Sequence, residues 1–479
     1  MEPITSRLVR VLGLSDLTFF LIAALVNLNS VPVVAGAGSV ALVLWALGFA
    51  LFFIPQGIAV MELSSRYPQE GGIYHWTKTA FGDFHGFMSG WCYWTNNIFY
   101  IPTLLFYIVG FAAFIGGDAT GGLADNPVVM VTVSLFLLWA ITFLNILGLG
   151  VSKWVQNLGA LGTFATTIII FGIGSVALSS GGMASPVTAS AFGELFGDWH
   201  VAGILSVVCL NYVGLELGSV LGDEIKNPRR NIPRAAIVAG VSTVMLYMVS
   251  TFSLQATVPA SEIGVIDGIL QAVERAASNI NLPWIVAPIA VLMTLNAAGN
   301  TSAWLTGAAR IPFVIGIDRY LPAALGKLHP RHHSPHVALI VQGLASSLFI
   351  ILSSIGSSVR DMYMILLQTT VVLQLIPYLY MFGALIRVRR NNVMFNPDLT
   401  FFRNSWVNYA AGAVGFLVTA GALSFAFLPT HAVDDVWNFE LKLILGTLSF
   451  LLPAVAIYLL SARRIRASEA AKPAESTPE

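Results

Sequence analysis

Charged side chains are scarce in this 479-residue chain. Only 10% of the residues are charged, and the 24 Lys and Arg balance the 24 Asp and Glu to a formal net charge of zero. Soluble domains carry about a quarter charged residues, so the composition excludes an ordinary soluble fold. A chain without net positive charge also lacks the electrostatic attraction that non-specific nucleic-acid binding needs, and we predict no nucleic-acid partner.

Cysteine and metal-binding patterns are also rare. Cys92 and Cys209 lie inside apolar runs without the spacing of a metal-ligand pair, so we interpret both as small buried apolar residues. The histidines lie in loops or at the ends of apolar runs, and "HPRHHSPH" (329–336) contains no acid or cysteine. We therefore predict no metal, no other cofactor and no catalytic residues, and hence a protein that is not an enzyme.

Long apolar runs dominate what remains. Hydrophobic residues make up 56% of the chain, and its mean hydropathy is +0.78. About 20 apolar residues in a helix cross a hydrocarbon core of about 30 Å. Such runs lie at roughly 14–35, 39–62, 86–116, 127–148, 152–179, 200–222, 235–257, 284–316, 337–355, 361–386, 407–428 and 438–461. They predict an all-α polytopic protein of the lipid bilayer with about twelve transmembrane helices, called spans one to twelve below.

Positive charge is distributed unevenly over the connections between these spans. An even number of spans leaves both termini on one side of the membrane. All but three of the 24 Lys and Arg then fall on that side, the exceptions being Arg275, Arg360 and Lys442. The positive-inside rule identifies that side as the cytoplasm. We therefore expect a protein of the plasma (inner) membrane with cytoplasmic tails at 1–13 and 463–479, the second disordered because it is rich in Ala, Glu and Pro.

Two spans contain residues that interrupt helices. "VNLNSVP" (26–32) in span one and "LNYVGLEL" (210–217) in span six place Asn beside Pro or Gly near the middle of an apolar run. Spans one and six correspond in two five-span halves, as in inverted repeats whose broken helices surround a midplane site. We predict that both helices break there and direct free N–H and C=O groups into a shared cavity. The alternative is that Pro32 and Gly214 only kink two packed helices.

Three long motifs carry a family resemblance. They are "YVGLELGSVLGDEIKNPRRNIPRA" (212–235), "ELSSRYPQEGGIYHWTKTAFGDFHGFMSGW" (62–91) and "TGAARIPFVIGIDRYLPAALGKLHPRHHSPHVAL" (306–339). With these motifs the chain resembles the amino acid/polyamine/organocation (APC) superfamily of permeases over its first ten spans. The resemblance implies a LeuT-type fold, a 5+5 inverted repeat with halves at 14–179 and 180–390 and discontinuous helices 1 and 6. Two further helices follow at 391–462.

The resemblance also implies where a substrate binds. In this family, N–H groups of the unwound part of span one hold the substrate carboxylate, and carbonyls of spans one and six hold its ammonium group. Residues 27–30 lie where many members have Gly-Ser-Gly. Because these glycines are missing, the substrate carboxylate has less access to the backbone here. We interpret Trp91 and Tyr100 as packing residues. The implied substrate-binding residues are Asn27, Leu28, Asn29, Ser30, Tyr93, Asn97, Asn211, Tyr212, Val213, Gly214 and Trp304.

The role of Glu216 and the identity of the coupling ion each have more than one interpretation. A carboxylate at this depth needs protein or water around it. Glu216 matches the family's acid after the break in span six, where it either ties the broken helix together through hydrogen bonds or takes a proton as a conformational switch. Proton-coupled members often carry Lys midway along span five, but residues 154–178 contain none. Thr301 and Ser302, with carbonyls of span one, could form part of a sodium site, so H+ symport, Na+ symport and exchange are all hypotheses.

The predicted function is secondary active transport of a small amino acid by alternating access, as a symporter or an antiporter. The nearest alternative is transport of a polyamine or another organic amine within the same superfamily, with Glu216 as a ligand of an ammonium group. A channel or a non-transporting receptor is the remote alternative. The sequence carries no indication of the oligomeric state.

Overall fold

The computed structural model describes residues 8–115, 126–186, 199–264, 268–279, 282–353, 359–390, 401–402, 404–427 and 436–470. These residues are almost entirely helical and contain no strand, only an isolated bridge between Leu12 and Ile225. Ten helical segments within the described ranges are long and apolar enough to cross a membrane. The predicted all-α polytopic class is therefore confirmed, and the protein is an integral membrane protein.

All twelve predicted spans correspond to helices in the described residues. Their bounds are Leu14–Leu25 with Val31–Ala35 for span one, Ala41–Gly48 with Ile54–Arg66 for span two, Asp83–Ile115 for three, Pro127–Ile146 for four, Leu149–Gly181 for five, Trp199–Asn211 with Leu217–Val220 for six, Pro228–Thr257 for seven, Val286–Ala308 for eight, His336–Ser353 for nine, Val359–Arg390 for ten, Ser405–Phe425 for eleven and Val436–Ala470 for twelve. Spans six and nine are not among the ten long segments, and His336–Leu352 of span nine is a shorter apolar helix.

Spans one and six are discontinuous, as the sequence predicts. In span one, Val26 is extended and a 3₁₀ turn at Leu28–Ser30 follows before the second helix. In span six, helical structure stops at Asn211 and resumes at Leu217. Gly214 has φ +132°, which other residues rarely adopt, so glycine is required at this turn. The alternative of two merely kinked helices is therefore wrong.

Small residues bring the central spans into close contact. Spans three and five pack against span eight. A Cβ atom on Gly159 of span five would lie 2.6 Å from the Cα of Gly299 in span eight, so the two backbones touch. Close approach of this kind drives helix association in lipid, where the hydrophobic effect between helices is absent. On the outside, Phe136 and Leu417 are 72% and 70% exposed, which is typical of side chains that face lipid.

Loops close the end of the bundle that we call the terminal face, defined by residues 8–13, 67–82 and 221–227. Gly71 and Gly72 have positive φ and lead into the short helix Ile73–Phe81. The backbone N–H groups of Val11 and Leu12 donate to the Glu224 carbonyl at 2.9 and 3.1 Å. The N-terminal segment is thereby attached to the loop that follows span six.

Two details of the predicted boundaries change. The last helix continues to Ala470, so the segment from 463 begins as helix, and the predicted disordered tail falls outside the described residues from 471 onward. The start of the predicted segment 391–462 also falls partly outside them.

Cys92 and Cys209 are buried and free, which confirms their interpretation as buried core residues.

Candidate functional site

The two helix breaks face each other across a small cavity. Its volume is about 10 Å³, roughly the space that a single water molecule needs, so the site is contracted in this structure. Its described lining is Ala24, Leu25, Asn27, Ser30, Asn96, Tyr100, Leu210, Asn211, Val213, Trp304, Thr370 and Gln374. None of these described lining residues carries a charge.

Five of the eleven predicted binding residues line this cavity. The Ser30 hydroxyl lies 2.9 Å from the Asn27 carbonyl oxygen and within hydrogen-bonding distance of Asn211 Oδ1. The broken parts of spans one and six therefore contact each other directly. Val213 lines the cavity beside Asn211, and Trp304 of span eight closes another side.

The other predicted residues lie outside the cavity lining. Leu28 and Asn29 are buried in the 3₁₀ turn, and the Asn29 side chain has no hydrogen-bond partner within the described residues. Asn97 donates to the Tyr93 carbonyl of its own helix at 2.9 Å, so its side chain is used locally. Tyr212 donates to the Trp45 carbonyl at 3.1 Å.

Glu216 is fully buried and accepts hydrogen bonds from three other spans and from its own turn. Tyr93 of span three donates to Oε1 at 2.9 Å. Gln56 of span two donates to Oε2 at 3.2 Å, the Gly214 N–H donates to the same oxygen at 3.1 Å, and Tyr378 of span ten is its fourth donor. The carboxylate therefore holds the broken segment of span six to spans two, three and ten.

Tyr247 of span seven connects the two breaks and is not among the residues predicted from the sequence. Its oxygen accepts from the Asn27 N–H at 2.9 Å and donates to the Leu25 carbonyl at 2.7 Å. The same oxygen lies 3.2 Å from the carbonyl of Asn211. No sequence signal identifies this tyrosine, because it lies in an apolar helix without a motif.

Four polar residues of the cavity lining are not among the binding residues predicted from the sequence. The Tyr100 ring packs against Trp304, as its interpretation as a packing residue expects, and its hydroxyl also lies at the cavity, 3.2 Å from Asn27 Nδ2, and donates to Asn300 Oδ1 at 3.1 Å. Asn96 donates to Gln374 Oε1. Gln374 Nε2 and the Thr370 hydroxyl are buried without hydrogen-bond partners in the described part of the chain. Span ten thus supplies unpaired polar atoms to the site.

The two hydroxyls proposed for a sodium site form hydrogen bonds within the helix bundle. Thr301 donates to the Ala297 carbonyl of its own helix at 2.7 Å. Ser302 accepts from Asn145 at 3.2 Å and from Gln156 at 3.4 Å. Neither hydroxyl is hydrogen-bonded to span one in the described residues, and a sodium site at these hydroxyls stays a prediction.

A charged cluster lies at the terminal face, away from the cavity. Arg310 donates to both carboxylate oxygens of Glu224, at 3.0 and 3.1 Å, and its Nε lies 3.8 Å from Glu70 Oε1. Burial and the neighbouring Glu224 carboxylate hold the pKa of Glu70 well above its ordinary value, although Arg310 acts in the opposite direction. Burial also raises the pKa of Asp223, whose N–H donates to Glu70 at 3.1 Å.

Comparison with known proteins gives the family. The model of the amino acid permease family matches residues 12–450. An uncharacterised transporter of Legionella pneumophila is 28% identical over 92% of this chain and 95% of its own. A probable agmatine/putrescine antiporter of Lactococcus lactis is 23% identical over 74% of this chain and 75% of its own. A glutamate/gamma-aminobutyrate antiporter from the same species is 24% identical over 86% of this chain and 83% of its own.

A solved structure supports the fold independently. The crystal structure of the transporter MhsT in complex with L-phenylalanine matches with a TM-score of 0.54 and 16% sequence identity. The match covers 92% of this chain and 98% of that chain. MhsT has the LeuT fold, so the LeuT-type architecture implied by the sequence motifs is confirmed.

Proposed function

This chain belongs to the amino acid permease family of the APC superfamily, and on that premise we propose that it moves a small amino acid across the membrane by alternating access. The family and the relatives are transporters, so the chain is a transporter and not an enzyme. The substrate class and the mechanism are the proposal.

The cavity between the two helix breaks is the observation that carries the proposal. Its described lining combines amides, hydroxyls and two aromatic rings, and contains no carboxylate and no basic side chain. Such a lining suits a zwitterion, whose two charges can be bound by backbone dipoles at helix ends. A polyamine has no carboxylate and needs several acidic or aromatic groups instead.

Binding at this site would exchange internal hydrogen bonds for bonds to the substrate. The N–H of Asn27 donates to Tyr247, and the N–H of Asn29 lies 3.3 Å from Asn27 Oδ1. A substrate carboxylate would take over donors of this kind at the start of the second half of span one. The carbonyl of Asn211 would face the ammonium group, because it ends the first half of span six.

The contracted cavity implies a conformational change during transport. An amino acid cannot fit into about 10 Å³, so spans one and six must separate from spans three, eight and ten before a substrate binds. The loops of the terminal face close one access route, since residues 11–12 are bonded to Glu224. Opening that route and the opposite one in turn would give alternating access.

The position of Glu216 favours an amino acid over a polyamine. Its carboxylate has four hydrogen-bond donors and does not line the cavity. Binding an ammonium group there would require breaking this set of bonds. The agmatine/putrescine antiporter among the relatives keeps amine transport as the second candidate.

We further propose that the protein lies in the plasma (inner) membrane with both termini in the cytoplasm. The support is the concentration of Lys and Arg on one side of the predicted topology. Labelling of single cysteines placed in the terminal tails, in intact and permeabilised cells, tests this orientation.

The first experiment is uptake into liposomes that contain the purified protein. The standard amino acids, putrescine and spermidine are screened by thermal stabilisation and by uptake, with and without a sodium gradient and a pH gradient. We expect saturable uptake of an amino acid and its loss in Asn27→Trp, because the indole fills the cavity. The matched control is Leu417→Trp, which adds the same ring on the exposed surface of span eleven.

The outcomes separate the candidates. If only putrescine or spermidine enters, the amino acid proposal is wrong and Glu216 becomes the leading ammonium ligand. Uptake that does not saturate would indicate a channel. Equal losses of uptake in Asn27→Trp and Leu417→Trp would show that the cavity is not the substrate-binding site.

A further inference from the structure

An open cleft at the terminal face is lined by basic side chains. Its volume is about 570 Å³. It lies apart from the cavity between the helix breaks, and the two share no described lining residue. We call it the arginine cleft, and its described lining is Arg10, Pro68, Asn227, Pro228, Arg229 and Arg230. These described residues bring three guanidinium groups together and include no carboxylate.

The tertiary structure assembles this cleft from segments that are far apart in the sequence. Arg10 precedes span one, whereas Arg229 and Arg230 lie in the first turn of span seven. The Lys226 N–H donates to the Leu12 carbonyl at 2.9 Å, which holds the N-terminal segment beside the start of span seven. The positive-inside rule explains why basic residues occur in such connections, but it does not require them to converge on one cleft.

The three guanidinium groups of the cleft are exposed and are not neutralised by bonded acids. None of them forms an ion pair with the described residues, whereas Arg66 and Arg310 are bonded to buried glutamates. The carboxyl group of Asp223 interacts electrostatically with Arg10 but does not line the cleft. Guanidinium groups suit an anion with several oxygens, because their N–H donors match the geometry of phosphate.

An exposed stripe of span seven continues from the cleft along the surface of the helix bundle. Arg230, Arg234, Val238, Val241 and Met245 follow at intervals of three or four residues, so they lie on one side of the helix. All five are exposed, and the three apolar side chains are 53%, 58% and 62% exposed. The stripe is therefore basic beside the cleft and apolar beyond it.

The length of the stripe matches one leaflet of a bilayer. At the helical rise of about 1.5 Å per residue, the helix advances about 16 Å from Arg234 to Met245. This is about half of a hydrocarbon core of about 30 Å. An acyl chain of one leaflet can thus lie along the apolar part of the stripe while its headgroup reaches the cleft.

We propose that the arginine cleft binds the phosphate group of an anionic phospholipid, whose acyl chains lie along the exposed stripe of span seven. A soluble phosphate would use the cleft alone, so the continuous apolar stripe favours the lipid. Basic clusters directly beside a transmembrane helix are typical of anionic headgroup recognition. With the orientation proposed above, the lipid belongs to the inner leaflet. The bound headgroup would join the N-terminal segment to span seven.

Titration of the purified protein with phosphatidylglycerol tests the site. The thermal midpoint is measured in detergent micelles that contain increasing phosphatidylglycerol or, in parallel, phosphatidylcholine. We expect a saturable rise with phosphatidylglycerol only. In the double variant Arg229→Gln, Arg230→Gln the apparent affinity should fall at least tenfold, because one basic residue near an anionic surface contributes about fivefold. Absence of a saturable rise in the wild type would overturn the proposal.

The matched control removes the same charge from another helix end. Arg463 and Arg464 are exposed near the end of span twelve, and the double variant Arg463→Gln, Arg464→Gln should keep the wild-type affinity. Equal losses of affinity in the two double variants would show that the lipid responds to total charge, and the arginine cleft would not be the site.

Arg10→Gln tests the cleft against the start of span seven alone. Because Arg10 comes from the N-terminal segment, its contribution requires the assembled cleft. We expect a severalfold loss of phosphatidylglycerol affinity in Arg10→Gln, and none in the single control Arg466→Gln, which also removes an exposed arginine. Wild-type affinity in Arg10→Gln would contradict binding in the cleft.

Soluble phosphates distinguish the two sources of a phosphate group. Inorganic phosphate and glycerol phosphate are titrated in the same assay, and we expect each to stabilise the protein far less than phosphatidylglycerol does. Stabilisation by either one at the same concentration as the lipid would refute the lipid and assign the cleft to a soluble phosphate. These measurements need no transported substrate, so their failure leaves the proposed function intact.

Discussion

The Glu216 carboxylate illustrates how single residues hold the broken helix. Four donors from four segments of the chain surround it, and the side chain is fully buried. Hydrogen bonds to a charged group contribute about 1.5–3 kcal/mol each, and an unpaired buried partner costs about as much. The arrangement therefore favours the interpretation of Glu216 as a structural tie.

The first prediction concerns Glu216→Gln. The variant offers one acceptor oxygen and turns an N–H₂ group toward Tyr93, Gln56 or Tyr378, which are all donors to the carboxylate. We expect a fall in thermal midpoint and at least a tenfold loss of uptake at every pH, equivalent to about 1.4 kcal/mol or more. Glu262→Gln is the control, because the side chain of Glu262 is half-exposed in a surface ion pair. Wild-type stability with pH-independent exchange would instead indicate a proton switch.

The second prediction concerns the unpaired hydroxyl of Thr370. In Thr370→Val the methyl group replaces a buried hydroxyl that has no partner in the described structure, so the substrate-free protein should keep its thermal midpoint or gain slightly. We expect substrate affinity to fall severalfold if that hydroxyl binds the substrate, as titration of thermal stabilisation would measure. Thr166→Val, an equally unpaired hydroxyl outside the cavity lining, should leave affinity unchanged. Unchanged affinity in both variants would exclude Thr370 from the binding site.

At the scale of helices, contact between backbones decides where the central spans cross. Two of the glycines in span five, Gly159 and Gly172, differ in what surrounds them. Gly159 touches Gly299 of span eight, whereas a Cβ atom on Gly172 would meet nothing within 4 Å. Substituting alanine at each of these two glycines separates the effect of helix packing from that of helix propensity.

The third prediction uses this pair. Gly159→Ala should force spans five and eight apart and lower the thermal midpoint, because overpacking costs about 1–3 kcal/mol. Gly172→Ala should be neutral or stabilising by up to about 1 kcal/mol, since alanine is the better helix former. Thermal midpoints in detergent and uptake rates provide the measurement. A Gly159→Ala protein as stable as Gly172→Ala would mean that the crossing is not tightly packed.

At the scale of the whole molecule, the cluster of the terminal face joins segments that are far apart in sequence. Glu70 precedes the short helix, Glu224 follows span six and Arg310 follows span eight. One guanidinium balances two buried carboxylates, with Asp223 alongside. The raised pKa of Glu70 follows from burial first and from Glu224 second.

The fourth prediction concerns how the closure of the terminal face by its loops depends on pH. Because the pKa of Glu70 is raised in the closed face, closure favours its protonated form. The contribution of Glu70 to the stability of the closed terminal face is therefore fully present at low pH. It is lost as the pH rises from the ordinary carboxyl range through the raised pKa of Glu70. We expect the labelling rate of Ser219→Cys, in a background lacking the native cysteines and divided by the rate of the same reagent with a small free thiol at each pH, to increase as the pH rises from about 5 to about 8. With the same division by the free-thiol rate, Glu70→Gln should label slowly at every pH.

The control for this experiment is Glu274→Gln in the same background, which should keep the pH dependence of the parent. If Glu70→Gln responds to pH as the parent does, another group controls the closure. A labelling rate that falls as the pH rises would give the opposite sign and reject the assignment.

The span pattern and both helix breaks were predictable because they depend on local sequence. Apolar runs of sufficient length cross the bilayer as helices, and the helices of spans one and six break in the segments 26–32 and 210–217, which combine Asn with Pro or Gly. Five cavity-lining residues were identified for the same reason, since they lie at or beside these breaks or at a motif position. Tyr100 and Tyr247 were not identified, because an aromatic residue in an apolar helix has the same local pattern whether it packs or binds.

The sequence by itself determined that this is a helical membrane transporter of the amino acid permease family with broken spans one and six. Hydrophobic length, breaker residues and three motifs are properties of contiguous segments. Only the tertiary structure decided which donors meet the freed carbonyls, that Glu216 is bonded to three other spans, and that span ten contributes to the cavity. These contacts join residues more than 100 positions apart, and their formation depends on how the helices rotate and cross rather than on any local pattern.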